Sequence, residues 1–368
     1  MSVTFFDLTR QFEELKDELE PKILEVAASG KYINGPYVKE FEEKAAKYLN
    51  VEHAIGVASG TDALMISLRA FGIEPGDEVI TTPWSFIASS DVIELIGAKP
   101  VFVDVEQDTM NIDYKKIEAA ITDKTKAIIP VHIFGHAVDM DPIMEIAKKH
   151  DLYVCEDACQ AIGGTYNDRM ISSIGHTGAF SFFPTKNLGA FGDGGLITTN
   201  DDELNKKIRI LKAHGSVKKY HNDILGYNSR LDAMQAAILN IKLGHLEDWT
   251  EKRRQNAEMY RKGFADNKNI EVQAEKDYTK HVYHQFTIKI LNGKRDELKD
   301  ALAEKNIGAA IYYVIPLHLQ KAHSSLGYKK GDMPVAEKLS EQVISLPIFP
   351  ELKKEEIQEV IDAINEVV

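Results

Sequence analysis

One lysine and one aspartate frame the chemistry open to this sequence. Lys186 sits in Gly178-Ala-Phe-Ser-Phe-Phe-Pro-Thr-Lys-Asn-Leu-Gly-Ala-Phe-Gly-Asp-Gly-Gly195, where an apolar stretch runs out into a glycine-rich loop. Upstream, Leu152-Tyr-Val-Cys-Glu-Asp157 reads as a buried strand that ends in acids. An amine whose pKa is lowered attacks carbonyl carbon and forms a Schiff base. A carboxylate at a buried strand end is costly unless a cation faces it, and a protonated pyridine nitrogen is such a cation. Amine and carboxylate together are what a pyridoxal phosphate enzyme needs.

Other strand ends carry complementary groups. Open α/β sheets collect ligands beyond the carboxyl ends of their strands. Ser59-Gly-Thr-Asp62 joins an expected strand to an expected helix. Gly60 permits close backbone approach, the helix start offers free N–H groups, and the Thr61 hydroxyl can bond a phosphate. Taken singly, the segment is as well explained by Ser59 or Thr61 acting as an ordinary N-cap. In Pro83-Trp-Ser-Phe-Ile-Ala88, either Phe86 or Trp84 can lie flat on a planar cofactor, although each alone is more simply core. Glu156 and Asp157 point to opposite faces of their strand, so one of them can meet a ring nitrogen; Asp157 alone could instead cap the next helix. Gln160 can donate to a ring phenol oxygen and Ser181 can bond phosphate. Lys186 by itself could be a surface lysine in a glycine loop. Each motif is weak, but in chain order they compose a phosphate cradle, a stacking ring, a pyridine partner, a phenol partner and a reactive amine.

The elements that must position these groups follow from periodicity. Helices are expected over residues 10–30 and 39–49 and a strand over 54–58. Strands at 78–81, 100–105, 125–132, 153–156, 178–183 and 195–199 then alternate with helices at 63–71, 87–96, 114–120 and 142–150. That alternation predicts an α/β fold with a mostly parallel sheet covered on both faces. After Arg230 the character changes: a long helix over 231–262, a strand over 282–291, a helix over 294–305, a strand over 309–313, and helices over 334–343 and 353–367. The expected organisation is a large cofactor-binding domain, residues 1–245, with an N-terminal helical segment, and a smaller α+β domain, residues 246–368.

Composition narrows the partners. Lys and Arg number 44 against 57 Asp and Glu, a net charge of −13, which argues against nucleic acid because phosphate backbones demand a basic face. The N-terminus lacks a secretory pattern and no apolar run is long enough to span a bilayer, so a cytoplasmic, membrane-free protein is expected. The two cysteines, Cys155 and Cys159, have no companions for a metal site and read as packed thiols.

Over nearly its whole length the chain resembles the pyridoxal phosphate-dependent nucleotide-sugar aminotransferases of the DegT/DnrJ/EryC1/StrS family. The resemblance rests on Ser59-Gly-Thr-Asp-Ala-Leu64, Glu156-Asp-Ala-Cys-Gln160, Ser181-Phe-Phe-Pro-Thr-Lys-Asn-Leu-Gly189, Gly192-Asp-Gly-Gly195 and Gly226-Tyr-Asn-Ser-Arg-Leu-Asp232. It implies an aspartate-aminotransferase-type fold (fold type I) and a homodimer with shared active sites. Lys186 is implied as the Schiff-base lysine, Asp157 as the pyridine partner and Gln160 as the phenol partner. Phe86 is implied to stack on the ring, and Gly60, Thr61 and Ser181 to hold the phosphate with Asn228 of the partner subunit. The implied donor is L-glutamate and the implied acceptor a keto-hexose on a nucleoside diphosphate. His245-Leu-Glu-Asp-Trp249 and Tyr312-Tyr-Val-Ile-Pro-Leu-His-Leu-Gln320 are most similar to members acting at C3, which favours C3 over C4. Softer substrate candidates are His214, Tyr220, Arg230, Tyr313 and His318. Family members that replace the lysine by histidine are dehydratases; Lys186 favours transamination over that chemistry and over a non-catalytic sensor.

Overall fold

The computed structural model describes residues 2–218 and 220–368. Its centre is a seven-stranded sheet: β1 (His53–Val57), β2 (Glu78–Thr81), β3 (Lys99–Phe102), β4 (Thr125–Ile129), β5 (Tyr153–Asp157), β6 (Thr177–Ser181) and β7 (Gly195–Thr199). The order is β1-β7-β6-β5-β4-β2-β3. β7 runs antiparallel to β1 and β6, and every other pairing in the sheet is parallel. Strands with helices on both faces lose their polar alternation, which is why these read as apolar runs. Alternate residues feed two cores. Ile80, Ile128, Val154 and Phe180 enter one cluster, and their neighbours Val79, Ala127, Cys155 and Ala179 enter the other. This alternation sets which acid of β5 faces which compartment.

The first helix, Leu8–Ser29, starts at Asp7, whose carboxylate accepts from the Thr9 and Arg10 amides, and stops at Gly30 with φ 66°. The expected single helix over 231–262 is two: Ala233–Lys242 and Leu246–Phe264, parted by a 3₁₀ turn at Leu243–His245. Gly244 lies inside that turn, and Glu247 and Asp248 open the next helix, so the local signals favour a break. A helix over Asp202–Leu211, capped by Asp201, was not expected.

The C-terminal part builds a three-stranded antiparallel sheet from Ile270–Val272, Phe286–Ile290 and Val343–Leu346. The strand expected over 282–291 begins only at Phe286, because the backbone ahead of it is bonded elsewhere: the Val282 and His284 amides donate to the Gly135 and Phe134 carbonyls. The strand expected over 309–313 is absent; Ala310 makes one bridge to Ser345. The N-terminus also crosses to this part. Val3 packs in its hydrophobic cluster and exchanges backbone bonds with Asn306 and Gly308, while Arg10 grips Glu356 at 2.6 and 2.8 Å.

Candidate active site

Beyond the ends of β5 and β6 lies a cavity of about 420 Å³. Both acids of β5 are buried, and they diverge. Glu156 is spent on the fold: it meets His132 Nε2 at 3.1 Å and accepts from the Ser172, Ile174 and Gly175 amides at 2.8, 2.8 and 2.6 Å. Burial works to raise its carboxyl, but His132 and these amides outweigh that and hold it below the usual range. Asp157 lines the cavity. It accepts from the Ser89 hydroxyl at 2.7 Å and the Cys159 amide at 3.2 Å, and among the described residues no Lys, Arg or His pairs with it. A buried carboxylate without a cation is an incomplete arrangement, and its open partner faces the cavity.

Lys186 lines the same cavity. Its side chain makes no hydrogen bond or ion pair with the described residues. Burial lowers its pKa, and Cys159 and Asp157 oppose the shift without cancelling it. The amine is therefore neutral over a wider pH range than a surface lysine, as a nucleophile requires. The loop that carries it is held by its own turn and by the helix Ala233–Lys242. The Lys186 amide donates to Phe183 O at 2.9 Å and the Ala190 amide to Phe182 O at 2.8 Å. From the helix, Lys242 Nζ donates to Gly189 O at 2.8 Å and Gln235 accepts from the Phe191 amide at 2.8 Å.

The phosphate-side groups meet across a tight gap. Ser59 caps the helix Gly60–Phe71 by accepting from the Asp62 amide at 3.1 Å, which leaves the Gly60 and Thr61 amides unspent by described residues. A Cβ on Gly60 would sit 2.7 Å from Ser181 Cβ and 2.8 Å from Cys159 Sγ, so only glycine lets this helix start approach the end of β6. The N-cap and anion-cradle readings of the segment are thus compatible: Ser59 does the capping, and the next two amides remain for an anion.

The aromatic alternatives separate by burial. Trp84 is fully buried and packs edge-on to Tyr313, while Phe86 is 59% exposed and lines the cavity. Of the two, Phe86 is the one open to a planar ligand in the cavity. Gln160 accepts from the Phe134 amide at 2.8 Å and donates to the Tyr313 hydroxyl at 3.1 Å, with a second N–H left over.

Gly60, Thr61, Phe86, Asp157, Gln160, Ser181, Lys186 and Tyr313 thus meet at one cavity. The other candidates lie elsewhere. His318 is buried, paired to Glu337 at 3.1 Å, and does not line this cavity. His214, Tyr220 and Asn228 are exposed and Arg230 is half-buried; none of them lines the cavity within this chain. Sequence reasoning missed Ser85 and Ser89, which form a hydroxyl relay into Asp157 (2.8 Å, then 2.7 Å), and His284 and Gln285 from the C-terminal part. The small polar helix start of Ser89 gives no local signal. Ser89→Ala should weaken retention of a cationic ring opposite Asp157 by about 5- to 10-fold, measured as cofactor loss on dilution, because it removes one of two fixed donors. Unchanged retention would show the relay to be mere packing.

A family model described as the DegT/DnrJ/EryC1/StrS aminotransferase family matches residues 13–365. The chain belongs to that family. Its DegT/DnrJ/EryC1/StrS relatives include the pleiotropic regulatory protein of Geobacillus stearothermophilus, 50% identical over 100% of this chain and 98% of that protein. Another is the UDP-N-acetyl-3-dehydro-α-D-glucosamine 3-aminotransferase of Acidithiobacillus ferrooxidans, 45% identical over 99% and 97% of the two chains. The crystal structure of DesV from S. venezuelae superposes with a TM-score of 0.96 at 42% identity, covering 99% of this chain and 98% of that one. DegT/DnrJ/EryC1/StrS aminotransferases depend on pyridoxal phosphate, and this chain is one of them. The residues present fit that cofactor: two unspent amides and a hydroxyl for the phosphate, an open aromatic face for the ring, and a cation-seeking carboxylate opposite an unpartnered amine. No group of His, Cys, Asp and Glu suited to a metal ion occurs among the described residues. No helix among them is long and apolar enough to cross a membrane.

Proposed function

We propose that this aminotransferase moves an amino group from L-glutamate to the C3 keto carbon of a hexose linked to a nucleoside diphosphate. The observation that carries the proposal is the meeting of Lys186, Asp157 and the Gly60–Ser181 cradle at one cavity. Pyridoxal phosphate supplies an electron sink and a carbonyl that accepts amines. The chain supplies the rest. Lys186 holds the cofactor covalently and carries the proton between the reacting carbons. Asp157 keeps the ring nitrogen charged, Phe86 stacks on the ring, and Gln160 donates to its phenol oxygen. Gly60, Thr61 and Ser181 fix the phosphate. Glutamate and sugar react in turn, a ping-pong order, because one lysine and one cavity serve both.

The C3 assignment is supported by the Acidithiobacillus relative, whose name specifies a 3-amino transfer. Asn228 is exposed and outside its own chain's cavity, beside Leu225 at 90% exposure; this supports a homodimer in which Asn228 of the partner subunit completes the cradle. His214, Tyr220 and Arg230 flank the same segment and would face the sugar nucleotide there. Residues 1–245 carry the cofactor and 246–368 cap it with Tyr313, in a cytoplasmic enzyme that binds no nucleic acid.

Glutamate added to the cofactor-loaded protein should bleach the pyridoxal absorbance and release 2-oxoglutarate. A keto-sugar nucleotide should then restore the band and gain one nitrogen by mass, with NMR locating it at C3. A product aminated at C4 would reassign the carbon, and loss of oxygen without gain of nitrogen would mark a dehydratase. The name of the Geobacillus relative favours a second, regulatory reading, which predicts cofactor binding with no amino transfer at all.

A further inference from the structure

Gln285 is a buried polar side chain that the fold does not use. It is 4% exposed and lines the cavity, yet its Oε1 has no hydrogen-bond partner among the described residues, and no bond of its Nε2 is formed to them either. Three polar groups of the same lining are already engaged. Gln160 is bonded at both ends, Ser89 serves Asp157, and Ser85 serves Ser89. A buried carboxamide left without partners destabilises a fold, and at the wall of this cavity a ligand is placed to complete it.

The backbone of Gln285 is fixed, which makes the side chain a defined reader. The His284 amide donates to Phe134 O at 2.9 Å, and Phe134 in turn bonds Gln160. His284 Nδ1 lies 3.3 Å from Asn187 Oδ1, and Asn187 Nδ2 donates to Val282 O at 2.9 Å. Asn187 follows Lys186 in the chain, so this arm is tied directly to the reactive lysine. Burial, with Lys186 close by, pushes the His284 imidazole well below its usual range, so the arm presents a neutral surface.

The cavity's own charges decide between the two reactants. Lys186 is the one Lys or Arg among its lining residues, and Asp157 and Asp193 are acidic. A donor carboxylate is met best by a cation, and Gln285 brings no charge to it. A sugar hydroxyl, which donates and accepts without charge, is matched by a neutral carboxamide. We propose that Gln285 is a specificity-determining residue for the amino acceptor, hydrogen-bonding a hydroxyl or N–H of the hexose near its keto carbon. The assignment rests on the sugar-nucleotide reading above.

The test uses the cofactor-loaded protein and its Gln285→Leu and Gln285→Met variants, similar in volume and without hydrogen-bonding capacity. Calorimetric titration with UDP-N-acetylglucosamine and dTDP-glucose should show the probe that binds wild type binding the variants about 5- to 150-fold more weakly. Stopped-flow half-reactions should show the sugar step losing at least about tenfold more rate than the glutamate step. Equal losses in both steps, a selective loss of the glutamate step, or no loss of affinity would each overturn the proposal. Intact cofactor absorbance in either variant establishes that the site is folded; absence of that band in both also overturns it, because the residue is then structural. If wild type binds neither probe and glutamate does not bleach it, the sugar-nucleotide reading fails first, before any variant is made.

Discussion

Lys186→Ala should abolish turnover while leaving the fold and the cofactor cradle in place. The loss expected is on the order of 10⁴-fold or more, since one side chain supplies both the nucleophile and the proton carrier. Stability should hardly change: the Lys186 side chain has no hydrogen bond or ion pair with the described residues for the truncation to break. The variant should still bind the cofactor through the Gly60, Thr61 and Ser181 groups, releasing it more readily on dilution. Glutamate bleaching and 2-oxoglutarate formation measure the loss, and turnover near the wild-type rate would reject the assignment. The lowered pKa has its own consequence. In cofactor-free protein at a pH below the ordinary lysine range, an amine-directed reagent should label Lys186 ahead of surface lysines, as read by peptide mass. Equal labelling would mean that burial does not activate the amine.

Asp157→Asn should cost roughly 10²–10⁴-fold in turnover, the effect of leaving a buried charge without its counter-ion, at about 3–5 kcal/mol. Asparagine keeps the shape and can still meet Ser89, but it cannot hold a ring nitrogen protonated. The cofactor absorbance should shift and cofactor affinity should fall. The neighbouring Glu156→Gln makes the control. It should lower stability by about 1–3 kcal/mol, through the three amides and His132 that the carboxylate now satisfies, and leave the cofactor spectrum unchanged. Because the Glu156 carboxyl is held below its usual range, the stability it contributes is present above the unfolded glutamate pKa and drains as pH falls through the lower folded value. If Glu156→Gln alters the spectrum and Asp157→Asn does not, the two roles have been exchanged.

The central sheet was legible because buried strands advertise themselves as short apolar runs, and all seven were located from 54–58 to 195–199 within a few residues. Lys186 and Asp157 were legible for the opposite reason: charged groups at buried strand ends are expensive and therefore conspicuous. The helix Asp202–Leu211 had a readable signal in its Asp201 cap and its Leu204, Ile208 and Leu211 spacing, and was missed under its heavy charge. The segment 309–313 misled because Ile311, Tyr312 and Tyr313 suit a strand locally, while tertiary packing gave Ala310 a single bridge and turned Tyr313 to the cavity. His284 and Gln285 carried no local signal at all. Their meeting with Lys186 joins positions about a hundred residues apart, and only the folded chain reveals it. His318 failed as a pocket residue for a similar reason, since Glu337 claims it from a later helix.

The division of labour between adjacent acids on β5 makes that strand intolerant of length change. Deleting or inserting one residue inside Tyr153–Asp157 would rotate the pleat by half a period. A glutamate would then enter the ligand chamber on a longer stem, and an aspartate too short to reach would be left facing His132 and the three amides. The spacing within these five residues is therefore frozen by geometry alone.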